Sequence, residues 1–167
     1  MRSFLLFICL CFLSIAVNAQ ATVLISAGGT VAVNDGDNFY DAGGVAGNDN
    51  NNNYTITLSP AVAGERVCLD FTMFKTYLGT FGGDVVDIFD GSNTAAPNIG
   101  SLMGDYTIKY NTGVSPYGVA VGLTGTRPAF LSASIFSSNN PAGTLTIRFT
   151  NSDASTNPGF AAKVVTY

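Results

Sequence analysis

After about residue 20, apolar and polar residues alternate with a period of two in several short stretches, the pattern of strands with one face buried. Tyr54-Thr55-Ile56-Thr57-Leu58 alternates cleanly and meets a stop at Ser59-Pro60. Val67, Leu69, Phe71 and Met73 fall on one face of the next strand, and residues 143–150 make the most regular alternation in the protein. Residues 22–26 and 30–33 are β-branched runs split by Gly28-Gly29 and read as a pair of opening strands. Residues 34–53, rich in Asn, Asp and Gly, read as a long polar loop. Further strands are expected at 99–102, 106–110, 117–123 and 160–166. Between them, Leu131, Ala133 and Ile135 alternate with Ser132, Ser134 and Phe136. No segment after the leader has a helical period, so the expected class is all-β, a sandwich of short strands.

The central stretch is Gly82-Gly83-Asp84-Val85-Val86-Asp87-Ile88-Phe89-Asp90-Gly91. In an extended strand Val86 and Ile88 point one way, and Val85, Asp87 and Phe89 the other. Asp90-Gly91 closes it, because glycine takes a tight turn without a steric penalty. Asp87 is left as a surface charge or a partner for Arg66 or Arg148.

The first 19 of the 167 residues read as a signal peptide. Arg2 is a basic start, residues 4–17 are mostly apolar, and Val17-Asn18-Ala19 has a small–x–small cleavage pattern. Residues 20–167 are then one domain. The apolar run is short for a bilayer span, so no membrane insertion is expected after cleavage, and the expected location is secreted or cell-surface. Cys9 and Cys11 leave with the leader, and Cys68 alone cannot make an internal disulfide. Cys68 reads as a small, partly buried hydrophobe.

Acidic residues outnumber basic ones, 11 to 7. With no basic patch to neutralise phosphates, nucleic acid is a poor partner. The absence of histidine removes Ser-His-Asp and Cys-His catalysis and histidine-ligated zinc. Glu65 is the single glutamate, so a two-carboxylate glycosidase would need facing aspartates. Asp84 and Asp87, three apart on one strand, lie on opposite faces. Gly28-Gly29-Thr30 has neither the lysine nor the helix of a phosphate loop.

Several segments in order carry a resemblance to CUB domains of the bacterial secreted type. These are Phe39-Tyr40-Asp41-Ala42-Gly43-Gly44, the strand 54–60, the strand 67–74, Asp84 to Gly91, Ala96-Pro97-Asn98-Ile99-Gly100, the strand 143–150, and Asn151-Ser152-Asp153-Ala154-Ser155 with Gly159-Phe160-Ala161-Ala162. The resemblance spans about residues 38–165, with an insertion within 103–128. It implies a compact sandwich of two antiparallel sheets with jelly-roll-like connections. Ser59, Gly82 and Thr144 stand where half-cystines are expected in the family, which implies a disulfide-free variant.

The resemblance also implies a Ca²⁺ site at one end of the sandwich, on Asp84 and Asp153 with Ser155 contributing. The family's glutamate position falls near Thr76-Tyr77, where no carboxylate stands. Calcium takes six to eight oxygens, several from carboxylates. The alternative is that both aspartates accept backbone N–H bonds within their loops, and the missing glutamate favours it. Asp41 and Asp49 are further cation candidates, with a solvated loop as the default. Tyr40, Tyr77, Phe81, Tyr106, Tyr110 and Tyr117 are candidates to line a contact surface, although strand aromatics more often sit in the core.

The reading is therefore a secreted, non-catalytic binding or adhesion module that contacts an extracellular protein or a carbohydrate through its end loops, with Ca²⁺ as the candidate cofactor. One alternative is a structural or adhesive subunit of an extracellular assembly, a homo-oligomer in which the insertion at 103–128 pairs with another copy by an exposed strand edge. Another is an accessory domain or fragment of a secreted hydrolase.

Overall fold

The computed structural model describes residues 19–46, 52–79, 82–102, 120–121, 135–152 and 157–167. Within these, the strands in chain order are β1 (Thr22–Leu24), β2 (Gly29–Val33), β3 (Asn38–Tyr40), β4 (Tyr54–Pro60), β5 (Val67–Lys75), β6 (Leu78–Gly79) and β7 (Gly82–Gly83). They are followed by β8 (Val85–Phe89), β9 (Asn98–Leu102), β10 (Ala120–Val121), β11 (Ile135–Ser137), β12 (Leu145–Thr150) and β13 (Gly159–Thr166). One sheet has the order β1-β3-β13-β5-β11 and the other β10-β9-β8-β12-β4-β2, while β6 and β7 form a small hairpin. From β3 to β5 and again from β11 to β13 the chain changes sheet at every step. The sandwich is the one expected from the alternation, and its winding is the jelly-roll-like connection that the CUB resemblance implies.

The sheets are mixed rather than wholly antiparallel. β1 runs parallel to β3 and β2 parallel to β4. A parallel pair needs a crossover connection, and here a strand in the opposite sheet supplies each one. The opening strands therefore do not pair with each other. A 3-10 turn at Ile25–Ala27, with Ile25 fully buried, carries the chain from one sheet edge to the other.

The polar stretch 34–53 is not a continuous loop, because it contains β3, with Phe39 in the core. Phe39 survives as a strand residue because its ring meets Phe160, with centroids 5.4 Å apart. On β5 the register slips opposite Ala161 and Ala162, so that Phe71 faces Ala162 and Met73 faces Ala161. This bulge reverses the alternation. Phe74 becomes the buried residue and Met73 moves to the half-exposed side. The described end of the 130–136 stretch also has the opposite phase to its apolar pattern. Phe136 is buried and Ile135 half-buried, since Phe136 covers Gly100 and meets Phe71 edge-on. Of the insertion at 103–128, only β10 is described, paired to β9; the other expected strands there lie outside the described residues.

Phe160 is the hub of the core, touching Phe39, Phe71, Phe74 and Phe149. Burying each such ring contributes about 2–3 kcal/mol. Among the described residues no disulfide assists, and Cys68 is free and buried, its sulfur accepting from the Ser137 hydroxyl at 3.3 Å.

Candidate functional site

The ends of β3, β5 and β12 and the starts of β8 and β13 meet at one end of the sandwich. The register shows this: Lys75 faces Gly159, Thr150 faces Val85, and Tyr40 faces Ala161. Asp84 and Asp41 both stand at this end, and both are fully buried.

Asp84 precedes β8 in phase with the buried Val86 and Ile88. Its Oδ1 accepts from the Ser152 N–H at 2.8 Å and the Ser152 hydroxyl at 3.3 Å, and its Oδ2 accepts from the Tyr77 N–H at 3.3 Å. The backbone is tied to the same place. Asp84 N–H donates to the Tyr77 carbonyl at 2.9 Å, and the Thr76 hydroxyl donates to the Asp84 carbonyl at 3.0 Å. Asn151 N–H donates to the Asn53 side chain at 2.8 Å. One carboxylate therefore joins the 76–77 and 151–152 segments, and the segment expected to bear a glutamate offers a backbone donor instead. Asp153 and Ser155 lie outside the described residues. Among the described residues no three acidic, cysteine or histidine side chains gather. One carboxylate ringed by donors is not by itself a Ca²⁺ site, which needs several oxygens.

Asp41 is not on a solvated loop, as its neighbours suggest. Its Oδ1 accepts from Gly43 N–H at 3.0 Å, and its backbone N–H donates to the Phe160 carbonyl at 3.2 Å. Its Oδ2 has no hydrogen-bond partner. That oxygen occupies the space of a side chain at Gly159: a Cβ there would lie 1.4 Å from it. Gly159 also has φ of +77°, which favours glycine. Burial pushes the Asp41 carboxyl up from 3.8 to about 6, with the nearby backbone N–H groups of Gly43, Gly44 and Phe160 opposing the rise. The sequence offers no local sign of this, because the residue that encloses Asp41 is 118 positions away.

Three further aspartates, Asp90, Asp37 and Asp87, are structural. Asp90 accepts from the N–H groups of Asn139 and Asn140 and from the Asn140 side chain, so it anchors a distant loop at the opposite end. Asp37, also buried, accepts from Ala21 and Asn34 N–H. Asp87 pairs with Arg148 at 2.6 Å rather than Arg66, and Arg148 lies over the Phe89 ring. Ser101 and Asn98 also donate to Asp87. Of the candidate surface aromatics, Tyr40 and Tyr77 are half-buried at the Asp84 end, and the other four lie outside the described residues.

No family model matches the sequence, and no curated protein matches it. Solved structures do. The CUB1-EGF-CUB2 domains of rat MASP-1 match with a TM-score of 0.52 and 14% identity over 83% of this chain and 42% of that one. The full extracellular region of zebrafish Gpr126/Adgrg6 matches with a TM-score of 0.51 and 13% identity, over 82% and 14%. The CUB1-EGF-CUB2 domain of human MASP-1/3 matches with a TM-score of 0.50 and 13% identity, over 78% and 40%. The chain thus spans less than half the length of each. At these identities the likeness concerns architecture, and the architecture is that of a CUB-like β-sandwich.

Proposed function

We propose that this chain is a secreted, non-catalytic module that binds an extracellular protein or a carbohydrate through the loops at the Asp84 end. The signal-peptide reading of residues 1–19 and the all-β fold support export. The observation that carries the binding surface is the Asp84 carboxylate, which holds the 76–77 and 151–152 segments side by side. Loops fixed on a rigid sandwich are suited to recognition. Immobilised protein, challenged with panels of glycans and extracellular proteins, should retain ligands that an Asp84→Ala variant releases. Equal retention by the two would move the binding surface elsewhere.

The calcium-assisted form of this reading adds Asp153 and Ser155 to Asp84. With one family carboxylate missing, affinity belongs in the range of about 10⁻⁴–10⁻³ M. Melting temperature should then rise only at millimolar Ca²⁺, and Asp84→Asn or Asp153→Asn should abolish the rise. An unchanged melting curve would leave the end loops held by hydrogen bonds alone. The second reading, an adhesive subunit, is favoured by β2, an uncharged edge strand with Thr30 and Ala32 exposed. Self-association in size-exclusion chromatography would support it.

A further inference from the structure

On the outer face of the β1-β3-β13-β5-β11 sheet, three side chains with complementary chemistry stand in one row. Lys163 on β13 is directly opposite Asn38 on β3 and directly opposite Asp70 on β5. Their strand neighbours Phe39, Ala162, Val164, Leu69 and Phe71 are buried in the core, so all three point away from it, and all three are half-buried. The Lys163 Nζ lies 2.6 Å from the Asn38 Oδ1. A carbonyl bond is about 1.2 Å long, which brings the amine to roughly 3–4 Å from the amide carbon. That range overlaps the separation of reacting atoms in near-attack geometry. The strands cannot easily drift apart, because Val164 N–H donates to the Asp37 carbonyl and Gly36 N–H to the Val164 carbonyl, both at 2.9 Å.

We propose that Lys163 and Asn38 become joined by an intramolecular isopeptide bond, with Asp70 as the proton carrier. The neutral amine attacks Cγ of Asn38. The Nζ–Cγ bond forms, the Cγ–Nδ2 bond breaks, and Nδ2 leaves as ammonia. The proton lost from Nζ reaches the leaving nitrogen by way of the Asp70 carboxylate. Nothing is oxidised or reduced, so the step needs no co-reactant, unlike a disulfide. The bond would tie β3 to β13 across 125 residues of chain. Cross-links that close long loops restrict the unfolded chain most, and such a tie would serve a domain whose one thiol after leader removal is buried and unpaired.

The test is peptide mapping of folded full-length protein held at mildly alkaline pH, which increases the neutral amine. The expected result is a chain lighter by one ammonia and a branched peptide that contains both Asn38 and Lys163, with no tryptic cleavage after Lys163. Lys163→Arg and Asn38→Ala should restore linear peptides, and Asp70→Asn should slow formation on the order of 10²-fold. Circular dichroism would verify that Lys163→Arg folds, and the wild-type map is decisive even if a variant does not. Separate linear peptides with Asn38 and Lys163 intact would overturn the proposal. So would ammonia loss confined to the N-terminal peptide, or conversion of Asn38 to aspartate without a branch.

Discussion

Asp84 and Asp41 are two buried carboxyls at the same end of one sandwich, and their surroundings differ. Asp84 has donors on both oxygens, supplied by Tyr77 and Ser152. Asp41 has a donor on one oxygen and the Gly159 backbone against the other. The Asp84 side chain is thus matched by the loops it joins, whereas a charge on Asp41 is only partly compensated. A buried charge is tolerated in proportion to the donors around it. The first carboxylate holds loops together, and the second makes the fold lose stability as pH rises and the carboxyl ionises.

The largest expected effect comes from filling the space beside Asp41. Gly159→Ala places a Cβ on the Asp41 Oδ2 and an alanine at positive φ, and should destabilise by roughly 3–5 kcal/mol. The Asp41→Ala/Gly159→Ala double variant should recover a good part of that loss, leaving the backbone cost. Urea midpoints measure both, and strict additivity of the two changes would contradict the contact.

Next in size is the pH response. The folded value of Asp41, about 6, lies above its ordinary value of 3.8, so the folded state holds the proton more tightly. The stability from that proton is fully present below about pH 4 and is lost as pH rises through 6, up to about 3 kcal/mol. Asp41→Asn should flatten this part of the stability profile relative to wild type. Parallel profiles for the two proteins between pH 4 and 7 would count against the buried acid.

The smallest of the three is Asp84→Ala, which leaves the Tyr77 and Ser152 donors without their acceptor. It should cost about 2 kcal/mol, and hydrogen exchange should quicken first at Tyr77 and Ser152. Unchanged exchange at both amides would mean that the loops are held by something other than this carboxylate.

The all-β class, the strands β4, β8 and β12, and the inward Val86 and Ile88 were legible because each rests on a two-residue period. The likeness to a CUB domain could be read for a related reason, since its segments keep their order along the chain. Other features were decided only by contacts between distant residues. The bulge on β5 inverted Met73 and Phe74 through its pairing with β13. Asp87 chose Arg148 because β12 lies beside β8, opposite register partners. Asp41 looks like a solvated residue among glycines, yet the fold encloses it. Periodicity predicts which face of a strand turns inward, but the donors that meet a buried charge depend on which strands become neighbours, and that is settled only when the two sheets close.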